Sequence, residues 1–274
     1  MSRADDDDDR PRRRPRDDYD DDYDDRPRRA RSSGGSGAGG VAGMSVAVII
    51  VIVVVGLMCV GGIGIALLLP AVHKVREAAA RAADTNSYKQ MALAFHNYES
   101  TMGRTPPADD PVSWRVHLLP YLEQGNLYAT FDVKQPWDAA KNRPHAGVRI
   151  PVYVSKLDDE SFVQTRARVF TGPDTLFPPG EKPLSLDPAK REVKDGTSNT
   201  FLVVEATESV PWPQPRELTY TAAGALPQFG HPQRTTGFLA AFADGSVKFV
   251  NPNANEAARR AAATATAGEA APGF

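Results

Sequence analysis

The chain has 274 residues, 24% of them charged, yet a formal net charge of only -2, because acidic and basic blocks cancel. One cysteine, Cys59, excludes an intramolecular disulfide and any cysteine-based metal site. The length allows one or two domains, from which polar or low-complexity stretches at both ends subtract.

Residues 1–40 alternate Asp5–Asp9, an RPRRRPR block from Arg10, DDYDDDYDD from Asp17 and RPRRAR from Arg26, then a Gly/Ser linker. So little apolar surface cannot offset chain entropy, and the reading is a disordered charged tail. Neighbouring acidic blocks cancel the field of the basic ones, so no nucleic-acid partner is expected. Arg26, Arg28, Arg29 and Arg31 lie within reach of anionic headgroups.

Residues 41–69 carry no charge and exceed the roughly 20 residues that cross a hydrocarbon core. They predict a transmembrane helix, whose backbone polar groups are satisfied within one segment. Gly56, Gly61, Gly62 and Gly64 lack GxxxG spacing, and Cys59 reads as filler on the lipid face. Arginines before the run place the tail in the cytoplasm and the rest outside the cytoplasmic membrane.

Residues 70–100 predict a stalk and an amphipathic helix. Val72, Val75, Ala79 and Ala82 form one stripe, and Tyr88, Met91, Ala92, Phe95 and Tyr98 or Glu99 a bulkier second one. The stripes point in different directions. Either one helix changes partners, or it bends near Asp84-Thr85-Asn86-Ser87, where a second helix finds a cap. The second stripe is the core face.

Residues 101–252 read as a mostly β globular domain. Residues 114–128 form a helical or irregular packing segment, 148–154 an edge strand around Pro151, and 166–171 and 201–205 short strands. Residues 238–250 read as a hairpin with a type I′ turn at Asp244-Gly245, with Phe242, Val247 and Phe249 on or beside the core face. Prolines between 173 and 215 mark long ordered loops. Residues 253–274 read as a flexible Ala-rich tail.

Several blocks resemble a pilin-like family expanded in planctomycete bacteria and catalogued as domain-of-unknown-function family 1559. They are LLLPAVHKVREAAARAADTNSYKQMALAFHNYES with TMGRTPP, SWRVHLLPYLEQGNLYATFDVKQPWDAAKNR from Ser113, DGTSNTFLVVEA from Asp195, and AFADGSVKFV from Ala241. The resemblance implies an α+β fold in which an N-terminal helix packs on a small antiparallel sheet, as in type IV pilins and pseudopilins. It implies no settled activity. The chain departs from the family pattern in two places. No Glu lies in 41–69, which a long tail precedes, and Val154-Ser155-Lys156 stands where relatives carry Cys-Pro-Ser. The first departure counts against leader processing and filament assembly.

Candidate chemistry is sparse. His73, His96, His117, His145 and His231 never fall at metal-ligand spacing, and no GxSxG, P-loop or GxGxxG occurs. Asp195, Gly196, Thr197, Ser198 and Asn199 offer oxygens of the kind calcium takes, but with one carboxylate and no EF-hand pattern. The competing reading is a turn whose side chains bond the backbone. Asp244 belongs to the hairpin, and Trp114, Trp137 and Trp212 read as core rather than a ligand groove. No catalytic, cofactor-binding or metal residue is therefore assigned, and no cofactor.

The expectation is a non-enzymatic, single-pass, extracytoplasmic pilin-like protein with a structural or assembly role. Its partners would be the bilayer and copies of itself or other pilin-like chains. A membrane-tethered ligand-binding or sensing module is the alternative, marked by a concave pocket with convergent polar groups.

Overall fold

A computed structural model describes residues 45–159, 161–234, 236–251 and 253–269, with the backbone alone at 61–71 and 73. The charged tail and linker, and residues 41–44 of the apolar run, lie outside the described residues. By its contacts the chain divides into two units, 1–59 and 60–274.

Helix α1 runs Val46–Met102. In the first unit its side chains are exposed on every side, including Val46, Ile50, Val53, Leu57 and Met58. Cys59 is free and exposed. Among the described residues no helix is long and apolar enough to cross a membrane.

In the second unit α1 runs through 84–87 without a break, so no second helix starts there. The two stripes are resolved by a change of surroundings along one helix. Val72 and Val75 stay exposed, whereas Tyr88, Met91, Ala92, Phe95 and Tyr98 are buried. Asp84, the first residue of the stretch that could have capped a second helix, is buried as an ion-pair partner of Arg234.

After α1 come short helices α2 (Trp114–His117) and α3 (Gly125–Tyr128), joined by a single 3-10 turn. Ser113 caps α2, its hydroxyl accepting the Arg115 N–H. Phe95 packs on Trp114 with ring centroids 4.9 Å apart, an inclined contact that fixes α2 against α1.

The strands are β1 (Gln164–Arg168), β2 (Phe170–Thr171), β3 (Phe201–Pro211), β4 (Leu218–Thr219), β5 (Phe238–Phe242) and β6 (Val247–Val250). Four make an antiparallel sheet in the order β1-β3-β5-β6, while β2 and β4 pair in parallel as a separate ribbon. The fold is thus α+β, as expected.

The sheet is covered on both faces. Ala167, Val203, Leu239, Ala241, Val247 and Phe249 belong to the core under α1. Val204, Phe238, Ala240, Phe242 and Val250 belong to a second core on the other face. Period-two alternation assigns the faces, so of the two arrangements left open, a shared core face or a bracketing of it, the hairpin takes the second, with Phe242 opposite Val247 and Phe249.

The second face is covered by a helix the sequence did not announce. In the region read as a flexible tail, α4 (Glu256–Ala263) starts at Asn255, whose side chain accepts the Ala257 N–H. Its Ala262 and Ala263 join the core with Phe238 and Phe242. Methyl groups let the helix approach the sheet closely, and alanine favours the helix.

Three local expectations change. Residues 148–154 are not a strand but a turn in which Tyr153 N–H bonds Ile150 O, and Ile150, Tyr153 and Val154 plug the core. The strand read at 201–205 continues to Pro211. In the β5–β6 hairpin Phe242 O accepts the Gly245 N–H, and Gly245 alone has a positive φ, +84°. That is a type I turn closed by a left-handed glycine, not type I′, which needs positive φ at Asp244 as well.

Candidate functional site

The second unit holds more charge inside it than its sequence shows. Arg115 of α2 is fully buried. It donates to Glu217 Oε1 at 2.9 Å, to Ser113 Oγ at 2.6 Å and, through Nε, to Ala167 O at 3.0 Å. Glu217 Oε2 accepts the Val169 N–H at 2.9 Å and lies 3.9 Å from Arg168 Nε. Arg168 is 2% exposed, and its Nε and Nη1 find no hydrogen-bond partner among the described residues. Burial pushes its pKa down to about 10, against the pull of Glu217.

Glu217 forms part of the floor of a groove of about 320 Å3. Phe177, Pro178, Pro179, Pro183 and Pro215 line it, and Thr171 and Thr219, paired across β2 and β4, contribute hydroxyls. The prolines keep this segment out of the sheet. At Gly172 the Tyr220 carbonyl comes so close that no side chain fits. Asp109 and Glu181 stand on the rim, where Asp109 accepts the Gly180 N–H, while Arg216 is engaged by Glu208 at 2.8 Å. An apolar wall with a few fixed polar groups suits a small ligand.

A second cleft, of about 500 Å3, gathers residues from blocks distant in sequence. His96 and Glu99 come from α1, Thr197 from the 195–199 turn, and Asp244 from the hairpin. The Asp244 N–H bonds Thr197 O at 3.1 Å, which joins the two turns. Glu99 is spent on structure: its carboxylate accepts the Ser185 hydroxyl and the Leu186 N–H.

The turn at 195–199 does not turn its carboxylate toward a cation site. Asp195 Oδ1 accepts the Gly268 N–H at 2.7 Å, and Asn199 Nδ2 donates to Asp195 O at 3.0 Å. The residues act as a turn that also fastens the segment after α4. Among the described residues no three His, Cys, Asp or Glu side chains group as metal ligands.

The histidines are dispersed. His117 Nε2 lies 3.1 Å from Asp110 Oδ2, and burial lowers its pKa against the pull of that carboxylate. His145 packs on the Phe131 ring. His231 Nδ1 accepts the Gln233 N–H at 3.1 Å, so Nε2 carries the proton and donates to Asp158 Oδ1 at 2.9 Å. Both nitrogens of His231 are therefore committed, Nδ1 to its own loop and Nε2 to Asp158. The side chain of His73 is not described.

Trp114 and Trp212 are fully buried, and Trp212 Nε1–H donates to Val148 O at 2.9 Å. Trp137 packs half-buried against the same core. None of the three lines the 320 Å3 groove.

Sequence reasoning also missed a second buried charge cluster. Arg234 donates to both Glu205 oxygens at 2.6 and 2.7 Å and to Asp84 Oδ2 at 2.6 Å. Asp84 also accepts the Ser155 hydroxyl and the Lys156 N–H, each at 2.7 Å. Burial raises the Glu205 pKa, with Arg234 opposing. The one available signal was a charge closing the apolar run of β3; nothing local named its partners.

Residues 73–183 match the model of a family described as "Protein of unknown function (DUF1559)". No curated protein and no solved structure matches the chain.

Proposed function

From the premise that residues 73–183 make this chain a member of the DUF1559 family, we propose that it is a single-pass, extracytoplasmic, pilin-like protein. It serves a structural or assembly role and has no catalysis of its own. The observation that carries the reading is the first stretch of α1, where Val46, Ile50, Val53, Leu57, Met58 and Val60 each leave more than half of their surface uncovered. A helix apolar on every side belongs in lipid or inside a protein, and the uncharged run extends to Leu69. Arginines before the run orient the tail to the cytoplasm. The bilayer is the first partner, and copies of the chain or other pilin-like chains the second. The cancelling charge blocks give nucleic acid nothing to bind.

The 320 Å3 groove favours a second reading, a tethered module that holds a small ligand outside the membrane.

The test is alkaline carbonate extraction of membranes, followed by the mass of the retained chain. Retention of a full-length or Met-trimmed chain supports a permanent anchor. Cleavage just before the run, near Gly40 or Gly43, points instead to a filament subunit with a long leader. Release into the wash refutes the anchor.

A further inference from the structure

Arg168 differs from the other arginines inside the second unit. Arg115 commits all three of its nitrogens, to Ala167 O, Ser113 Oγ and Glu217. Arg234 and the half-buried Arg166 leave Nε free, yet Arg234 holds Glu205 and Asp84, and Arg166 holds the Thr207 carbonyl. Arg168, at the end of β1, donates a hydrogen bond to no described residue. Among those residues, the one carboxylate in ion-pair range is Glu217, whose Oε2 lies 3.9 Å from Nε and already accepts the Val169 N–H. Nε and Nη1 are closed off from solvent, so Nη2 is the nitrogen that reaches it. A guanidinium carries five N–H donors, and at 2% exposure they need a partner inside the fold.

The charge around Arg168 does not balance either. Glu217, Arg115, Glu208 and Arg216 act on it most strongly. Glu208 and Arg216 pair with each other at 2.8 Å on the surface, where both are more than half exposed. That leaves two buried cations, Arg115 and Arg168, sharing the single buried carboxylate of Glu217. Burial lowers the Arg168 pKa only to about 10, so the group stays charged at neutral pH. The sheet separates this surplus from the acidic surplus of Asp84, Glu205 and Arg234. Arg168 pairs with Val204 of the second core, whereas Ala167, which pairs with Glu205, belongs to the core under α1. Water satisfies free N–H groups but leaves the charge, whereas an anion answers both. Arg168 lines neither the 320 Å3 groove nor the 500 Å3 cleft, so the anion is small, and one surplus charge makes it monovalent.

We propose that Arg168 binds a chloride ion within the second unit, on the Nη1–Nη2 edge of its guanidinium. The Glu217 carboxylate faces Nε and repels an anion from that side, which leaves the far edge. Nη2 supplies the way in from solvent. Chloride there neutralises Arg168 and leaves Glu217 to Arg115 and the Val169 N–H, the contacts that hold the floor of the 320 Å3 groove. The inference does not depend on the membrane anchor.

The test is urea unfolding of the full-length chain in a non-ionic detergent, with sodium chloride exchanged for sodium gluconate at constant ionic strength. Gluconate carries the same charge but is too large for the site. Once chloride exceeds its Kd, each tenfold increase is expected to raise the unfolding free energy by about 1.4 kcal/mol. Chlorine NMR reads binding directly, because ions exchanging with the folded chain broaden the chloride line. Arg168→Met should remove both the chloride dependence and the broadening. In gluconate that variant should be at least as stable as the native chain, since it no longer buries an unpaired charge. Arg143→Ala, at an exposed turn, should leave both readings unchanged. A native chain equally stable in the two salts overturns the proposal, whether or not the Arg168 variant folds. Chloride dependence or broadening that survives in Arg168→Met overturns it as well, and broadening lost in Arg143→Ala does so by marking adsorption to the surface.

Discussion

Replacing Arg234 by methionine keeps most of the side-chain volume and removes one charge from a cluster with two carboxylates. The Arg234 side chain is 1% exposed, and its three bonds to Glu205 and Asp84 span 2.6–2.7 Å. Without it, two buried carboxylates face each other with no counter-charge. At pH 7 the cheapest escape is for one to take up a proton. Starting from the ordinary carboxyl value of 4.5, that costs about 3.4 kcal/mol at about 1.36 kcal/mol per unit. The figure falls within the roughly 3–5 kcal/mol typical of breaking a buried ion pair. At pH 5 the same protonation costs about 0.7 kcal/mol, so the penalty should shrink. Urea unfolding in detergent, followed by the fluorescence of Trp114, Trp137 and Trp212, reads this directly, because all three lie in the second unit. Adding Glu205→Gln to Arg234→Met should restore part of the loss at pH 7. A penalty below about 1 kcal/mol at pH 7, or one no smaller at pH 5, refutes the argument.

The same titration gives the native chain a pH signature. Burial raises the folded pKa of Glu205, so the folded state binds that proton more tightly than the unfolded one. Its contribution is fully present below the unfolded value near 4.5 and is lost as pH climbs through the higher folded value. Glu205→Gln should flatten this segment of the stability-against-pH curve. At Gly237, with φ +155°, an added Cβ would sit 2.7 Å from the Phe249 ring. Gly237→Ala should therefore cost about 1–3 kcal/mol in the same unfolding assay. Ala262→Asp buries a charge where α4 meets the sheet and should lower stability by about 3 kcal/mol or more, or prevent folding. Glu256→Ala on the exposed side of α4 removes only a surface pair with Arg260 and should change it by less than about 1 kcal/mol.

Local pattern carried the outline of this molecule. The stripe of Tyr88, Met91, Ala92, Phe95 and Tyr98 marks the buried side of α1, because apolar residues at helical spacing have one way to leave water. The short runs at 166–171 and 201–205, and the Asp-Gly turn, located β1, β2, β3 and the β5–β6 hairpin. The family blocks that fall within 73–183, tied to consecutive residues, were legible for the same reason.

What the sequence could not supply depends on residues far apart along the chain. The Ala-rich end reads as a solvated tail until a sheet face rich in phenylalanine is placed beneath it; only then does a methyl-lined helix have something to bury against. Phe242 falls on one face or the other according to strand register, which the pairing of β5 with β6 fixes. Asp84, Glu205 and Arg234 are ordinary charges in the sequence, and Arg115, Arg168 and Glu217 likewise. Folding removes their water and makes each the neighbour of the others. Periodicity determines which face of an element is apolar, whereas partners, register and cavities are set by tertiary packing, because they belong to pairs of segments rather than to either one.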